Sequence, residues 1–191
     1  MCIRDSIIDV FQRFGLGQLT GTEFPGERAG RLPDHDFWSA IDRVTPAFGY
    51  GLLVTPLQLA HAYAVFANGG WLVTPHLAQG TTDWLDADHR RKVAMNPSTL
   101  ATIRAGLRKV VSAGTGFGLN GPDIPPAAGK TGTAEDSTGG PDHAWFGTYA
   151  PYPEGEIVVV AFAQNTPGGG SVHALPMAKT VLAAWEKPRQ R

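Results

Sequence analysis

A single cysteine, Cys2, stands among 191 residues, which excludes an internal disulfide and any cysteine-based zinc site. Charge is sparse as well: 17% of residues are Asp, Glu, Lys or Arg, against about 25% in typical globular domains. Neither sign dominates, since 16 Lys and Arg face 17 Asp and Glu, so non-specific nucleic-acid binding has no electrostatic footing. Long apolar runs are missing too. The longest, Ile157 to Ala163, covers 7 residues, where a membrane-spanning helix needs about 20. The 6 histidines show neither an HExxH pair nor another ligand spacing, so no metal is expected, and no cofactor is implied. The opening MCIRDS is not followed by an apolar segment with a small-residue cleavage site. It is no signal peptide, and residues 1–6 are left unassigned and open to a non-native origin.

What is present is a core-forming composition, 42% hydrophobic, punctuated by 24 glycines and 15 prolines. Ile7, Ile8, Phe11 and Phe14 recur at helical spacing and stop at Gly15 or Gly17. Residues 20–48 read as mostly irregular. In TPLQLAHAYAVFANGG, Thr55 suits a helix cap, Pro56 the first helical position and Gln58 the reciprocal partner of a capping box. Leu57, Ala60, Ala64 and Ala67, with Tyr63 and Phe66 nearby, predict a helix buried over most of its surface by small residues. A second helix starts at Asn96-Pro97 and carries Leu100, Ile103, Leu107, Val110 and Val111 to a stop near Gly114 or Gly116. The period then changes. Ala128–Ala134, His143–Ala150 and Glu156–Gln164 read as three strands joined by turn-rich links, hence antiparallel neighbours. IVVVAFA is apolar on both faces, which predicts a central strand covered on each side. Leu175, Ala178, Val181, Leu182 and Trp185 define a closing amphipathic helix ended by Pro188. The order gives an α+β fold, a helical lobe plus an antiparallel sheet with a C-terminal helix packed on it.

GKTGTAE, Gly129 to Glu135, is the string with mechanical content. A phosphate-binding loop would need glycine five residues before Gly129; Ile124 stands there, followed by two prolines. The other reading is the K-T-G strand motif of serine acyl-transfer enzymes. An edge strand can pair its backbone with an extended peptide. Lys130 would set a positive charge beside a substrate carboxylate, and Thr131 and Thr133 would offer hydroxyl donors to it. Gly132 would clear space for the substrate backbone, and the Thr133 N–H would face the developing oxyanion.

Around that string, RFGLG, PGERAGRLP, FGYGLLVTPLQLAHAYAVFANGG, GKTGTAE, WFGTYAP and IVVVAFAQN follow in order. The ordered set resembles the transpeptidase domain of class B penicillin-binding proteins from about Phe11 to Trp185. GERAG with FGYGLLVTPLQLA looks most like the cell-division branch, while HAWFGTYAP leans toward the elongation branch. The resemblance implies part of a penicillin-binding-protein or serine β-lactamase-like domain over residues 7–187. It implies substrate binding by Lys130, Thr131, Gly132 and Thr133, with the Thr133 N–H in the oxyanion hole. The implied partners are the D-Ala-D-Ala end of a peptidoglycan stem peptide, β-lactams and other wall-synthesis or division proteins. The implied location is the outer side of the cytoplasmic membrane, with an N-terminal anchor not found in these residues. Such catalysis needs an activated serine with a neighbouring lysine. None of Ser6, Ser39, Ser98, Ser112, Ser137 and Ser171 has Lys three residues on or Asn two residues on. The expectation is a C-terminal fragment, inactive alone and either poorly soluble or marginally stable. A β-lactamase, a β-lactam sensor and a non-catalytic muropeptide- or partner-binding module stay open as alternatives.

Weaker candidates have plainer readings. Asp34-His35-Asp36 and Asp83–Lys92 read as solvated loops. His143 reads as a sheet-surface residue, and His173 as a capping or surface one. Trp145, Phe146 and Tyr149 read as packing residues. Glu135 and Asp136 are adjacent, so on a strand they would face opposite ways; they read as loop acids rather than an acid/base pair.

Overall fold

Helix α2, Pro56–Ala67, begins where the sequence places its cap. In the computed structural model the Gln58 N–H donates to Thr55 Oγ1 at 3.1 Å, and Gln58 Oε1 accepts from the Thr55 N–H at 3.0 Å. The predicted capping box is therefore formed on both sides. The structure describes residues 3–33, 45–77, 89–136 and 139–189. They fall into two units, Met1–Val65 with Trp71–Ala94, and Phe66–Gly70 with Met95–Arg191.

In the first unit, helix α1 spans Ile3–Arg13 and so takes in residues that sequence reasoning left unassigned. It stops at Gly15, whose φ of 82° suits glycine. The face of α2 that is most deeply buried is Gln58, His61, Ala62 and Val65. Tyr63 and Ala67 are buried as well, and Leu57, Ala60 and Ala64 are half-buried, so the helix is covered over most of its surface as the sequence predicts. The member that its composition does not announce is polar: Gln58 is a carboxamide with no exposed surface. Its Nε2 donates to the carbonyls of Gln18 at 2.7 Å and Ala29 at 2.6 Å. One side chain thus closes the helix cap and pins the irregular 18–29 segment. Beside it Arg31 and Leu53 form an isolated antiparallel bridge. A β-carbon on Gly30, at φ 66°, would overlap the Leu53 carbonyl. PGERAGRLP and FGYGLLVTPLQLA are therefore packed on each other. Strands β1, Trp71–Val73, and β2, Arg90–Lys92, pair antiparallel, so the end of the predicted charged loop is a strand. Arg90 and Lys92 both lie over the Trp71 ring, at 4.7 and 4.8 Å from its centroid, which accounts for a strand made of three cations. Residues 34–36 and 83–88 lie outside the described residues.

His61 is buried in this unit, and burial, followed by the Arg91 charge, holds its imidazole down at about pKa 4. A base held below its unfolded value, ordinarily about 6.5, is neutral in the folded state and protonated in the unfolded one between those two pH values. The stability it contributes is complete above about pH 6.5 and is lost as pH falls toward 4. The cavity beside it is open to water, which screens part of the shift and leaves about 2 kcal/mol. Urea titrations between pH 7 and pH 4 should show that much less pH-dependent loss in His61→Gln than in the parent chain.

The second unit is built on the sheet. Strands β3, Ala128–Ala134, β4, His143–Ala150, and β5, Ile157–Ala163, form an antiparallel meander in that spatial order. The three strands match the sequence reading to within a residue. IVVVAFA, however, is not central among the described residues: β5 pairs only with β4, and β4 is the middle strand. Its apolar character reflects burial rather than pairing. The face formed by Ala144, Phe146, Val159 and Ala161 packs on Leu175, Ala178 and Leu182 of helix α5, Ala174–Glu186, with Leu119 and Val111 completing the core. Val181, predicted on the buried stripe, is 46% exposed. Helix α3, Pro97–Ala113, starts on the Asn96 cap, whose side chain accepts from the Ser98 N–H. It packs against β3, and the Arg108 guanidinium donates to the Ala127 carbonyl at 2.8 Å. A one-turn helix α4, Gly169–Val172, precedes α5.

Candidate functional site: the β3 edge

The order β3–β4–β5 leaves β3 at an edge of the sheet among the described residues. Side chains alternate along a strand, and the register assigns the faces. Lys130 pairs with Gly147 and Gly132 with Trp145, whereas Thr131 pairs with Phe146 and Thr133 with Ala144. Thr131 and Thr133 therefore share the face that carries α4 and α5. Lys130 and Gly132 lie on the other, with Trp145 and its ring partner Phe162, 4.2 Å away between centroids. The pleat thus separates the predicted cation from the two predicted hydroxyls. Lys130 is exposed, and its Nζ donates to the Thr131 carbonyl at 2.6 Å, so it folds along its own strand.

Three glycines set the backbone here. A β-carbon on Gly129 would lie 2.9 Å from Thr148 Cβ, and the buried Thr148 hydroxyl already donates to the Ala128 carbonyl at 2.9 Å. A β-carbon on Gly132 would meet only Trp145 Cβ, at 3.3 Å; that position is tight but open beyond the tryptophan. A β-carbon on Gly170 of α4 would come within 2.6 Å of the Gly132 carbonyl oxygen and 2.9 Å of its nitrogen. Helix α4 therefore rests directly on the K-T-G backbone, and Gly169 leaves room beside the Thr133 hydroxyl. The Thr131 and Thr115 hydroxyls are 2.7 Å apart. Thr115, after α3, and Gly169–Gly170 thus bound the strand on its helix-bearing face. Sequence reasoning missed all three, because Thr115 and Gly170 lie 16 and 38 positions from the residues they touch.

The weaker candidates fall where packing explains them. Phe146 and Tyr149 have no exposed surface. The buried Tyr149 hydroxyl lacks a hydrogen-bond partner, and burial pushes its phenol up to about 12; it is locked neutral and is no acid/base group. His143 packs its ring edge-on to Phe162 and accepts from the Asn165 N–H at 3.2 Å. His173 Nε2 is 2.5 Å from the Pro167 carbonyl at the α4–α5 junction, without capping α5. Glu135 and Asp136 follow the end of β3 and are not on the strand. Among the described residues no three acidic, histidine or cysteine side chains gather as a metal site, and no helix is long and apolar enough to cross a membrane.

Residues 4–183 match the family model of the penicillin binding protein transpeptidase domain. The chain is similar to the peptidoglycan D,D-transpeptidase MrdA of Haemophilus influenzae, 31% identical over 209 aligned positions that cover 93% of this chain and 32% of that protein. It is similar to the Escherichia coli peptidoglycan D,D-transpeptidase FtsI, 49% identical over 65 residues covering 34% of this chain and 11% of that one. In structure it is similar to the apo transpeptidase domain of Burkholderia pseudomallei penicillin-binding protein 3, with a TM-score of 0.79, 29% identity, and coverage of 98% of this chain and 57% of that one. The matched stretches span about a third or less of the length of these curated relatives.

Proposed function

Because the chain belongs to the penicillin-binding protein transpeptidase domain family, we propose that its β3 edge receives the D-Ala-D-Ala end of a peptidoglycan stem peptide for cross-linking. The observation that carries this is the open edge of β3 with Lys130, Thr131, Gly132 and Thr133 along it. An antiparallel strand turns the N–H and C=O of one residue to the same side and those of successive residues to opposite sides. The bond from the Lys130 ammonium to the Thr131 carbonyl supports Thr131 and Thr133 as the pair turned away from β4. An extended peptide would then add to the sheet through those groups. Its terminal carboxylate would lie between the two threonine hydroxyls and the Lys130 charge, on the two flanks of the edge. The Thr133 N–H would donate to the carbonyl oxygen as negative charge develops on it.

The covalent step uses a serine oxygen that attacks the penultimate D-Ala carbonyl. Terminal D-Ala leaves as the amine with a proton, and the acyl group passes to an amine of a second stem peptide. No serine of these 191 residues carries the Ser-x-x-Lys or Ser-x-Asn spacing, so the nucleophile and its base come from sequence outside them, and this chain alone does not turn over. β-Lactams, as mimics of the dipeptide, would take the same edge. The 65-residue match to FtsI supports the division branch, with wall-synthesis proteins as partners and a membrane-anchored location outside the cytoplasm for the whole protein.

Acylation by a fluorescent penicillin tests this reading. The 191-residue chain should remain unlabelled, and the same chain joined to a segment bearing Ser-x-x-Lys should label. Covalent labelling of the 191-residue chain would sink the reading. Rapid nitrocefin turnover by the joined protein would favour a β-lactamase instead.

A further inference from the structure

The first unit holds a cavity of about 340 Å³ that the transpeptidase reading does not use. Its wall joins Arg90, Arg91, His89 and His61 to Thr20 and Thr74. The charge balance is positive. Arg91, on the same face of β2 as the lining Leu72, turns its side chain to the cavity, while the Arg90 guanidinium lies over Trp71 on the other face; the acid that acts on His61 is Glu27, whose carboxylate is already held by the Thr20 N–H at 2.8 Å and the Thr20 hydroxyl at 2.5 Å. Arg91 gives one Nη1 bond to the Arg13 carbonyl at 3.0 Å, out of the five donors a guanidinium carries.

His61 is the second and independent observation. It retains 9% of its exposure, lines the cavity, and neither ring nitrogen makes a hydrogen bond of good geometry, the Val73 main chain acting on it only loosely. A buried polar side chain without a partner is the exception in folded proteins and calls for a ligand or a reason. Gly15 crowds one side of the ring: a β-carbon there would be 3.2 Å from Nδ1. A neutral imidazole offers one N–H donor and one acceptor. Beside the Arg91 guanidinium, that is a donor set suited to an oxyanion.

We propose that this cavity binds a small oxyanion, a carboxylate or a phosphate group, held by Arg91 with the His61 ring as a further donor. The groups that set the His61 charge state are burial and Arg91, which disfavour its proton, and Glu27 and the Val73 backbone, which favour it. An anion in the cavity adds to the second set. Binding and imidazole protonation are therefore coupled.

The test is imidazole ¹⁵N NMR of His61 in the intact chain, titrated with inorganic phosphate and separately with acetate, against sodium chloride at matched ionic strength. Bound anion should raise the His61 midpoint from about 4 by about one pH unit, saturably, as an opposite charge within a few ångströms does. Arg91→Gln should weaken that response about tenfold, the loss of one charge-assisted contact. Arg91→Lys, which keeps the charge but loses the guanidinium fork, serves in its place with a smaller loss if Arg91→Gln alters the amide spectrum throughout. Saturation by phosphate alone identifies a phosphate site, and by acetate alone a carboxylate site. A response no larger than that to chloride, or one unchanged in both arginine variants, overturns the proposal.

Discussion

Gln58→Leu is expected to release the 18–29 segment and the Arg31–Leu53 bridge. The carboxamide has no exposed surface and makes three bonds to main chain: to the Gln18 and Ala29 carbonyls and from the Thr55 N–H. Leucine fills a similar volume but leaves those groups without their partner. Each buried group so abandoned costs about 1–3 kcal/mol. Water reaches part of the segment, and the sum settles near 3 kcal/mol, or about a hundredfold in the local opening equilibrium. The Arg31 and Leu53 amides, which pair with each other's carbonyls at 2.7 and 2.9 Å, should exchange about a hundredfold faster. Thr55→Ala removes only the hydroxyl half of the capping box and should cost about 1 kcal/mol. Equal effects from the two variants would mean that Gln58 acts as a helix cap and nothing more.

The second large effect is expected at Gly170. Its φ lies outside the left-handed region, so alanine meets no backbone strain there and the outcome is purely steric. The new β-carbon would overlap the Trp145 carbonyl and lie 2.6 Å from that of Gly132. These are main-chain atoms of two paired strands and cannot swing aside as a flexible side chain would. Helix α4 must lift from the sheet. Overpacking of this kind costs about 3 kcal/mol, which lowers the melting temperature by about 6–12 °C in a chain of this length. Gly132→Ala is the control. It meets only Trp145 Cβ, at 3.3 Å, and should change melting by a few degrees at most (about 1 kcal/mol). On the proposed reading it would nonetheless impair ligand binding, because its β-carbon enters the space beside the acceptor edge. A melting loss at Gly132 as large as at Gly170 would contradict this division of roles.

What the sequence reveals is what depends on neighbours a few positions apart. The Thr55–Gln58 box spans three residues, and both of its hydrogen bonds are present. The three strands and the Asn96 cap were legible for the same reason. The two-residue period of a strand also determined in advance that Lys130 and Thr131 lie on opposite faces, although the chemistry of a shared carboxylate drew them together. Features that depend on distant partners were not legible. Gln58 reaches carbonyls 40 and 29 positions away, and nothing in TPLQLA marks that. Gly170 lies against Gly132, 38 positions away, and nothing in GGGS marks that. Arg90–Lys92 carries the composition of a loop and becomes a strand because Trp71 gives two of its cations a ring to lie over. IVVVAFA read as central because both faces are apolar, yet burial of two faces does not require pairing on two edges.

The central claim is that Thr131 and Thr133 present the acceptor edge. The most direct measurement is amide exchange along β3 in a protein carrying this chain, with and without a peptide ending in D-Ala-D-Ala. The account predicts that the Thr131 and Thr133 amides become protected when the peptide binds. The Lys130 and Gly132 amides, turned toward β4, should exchange as before. Protection that falls on Lys130 and Gly132 instead, or that bypasses β3 while the peptide is bound, would contradict it.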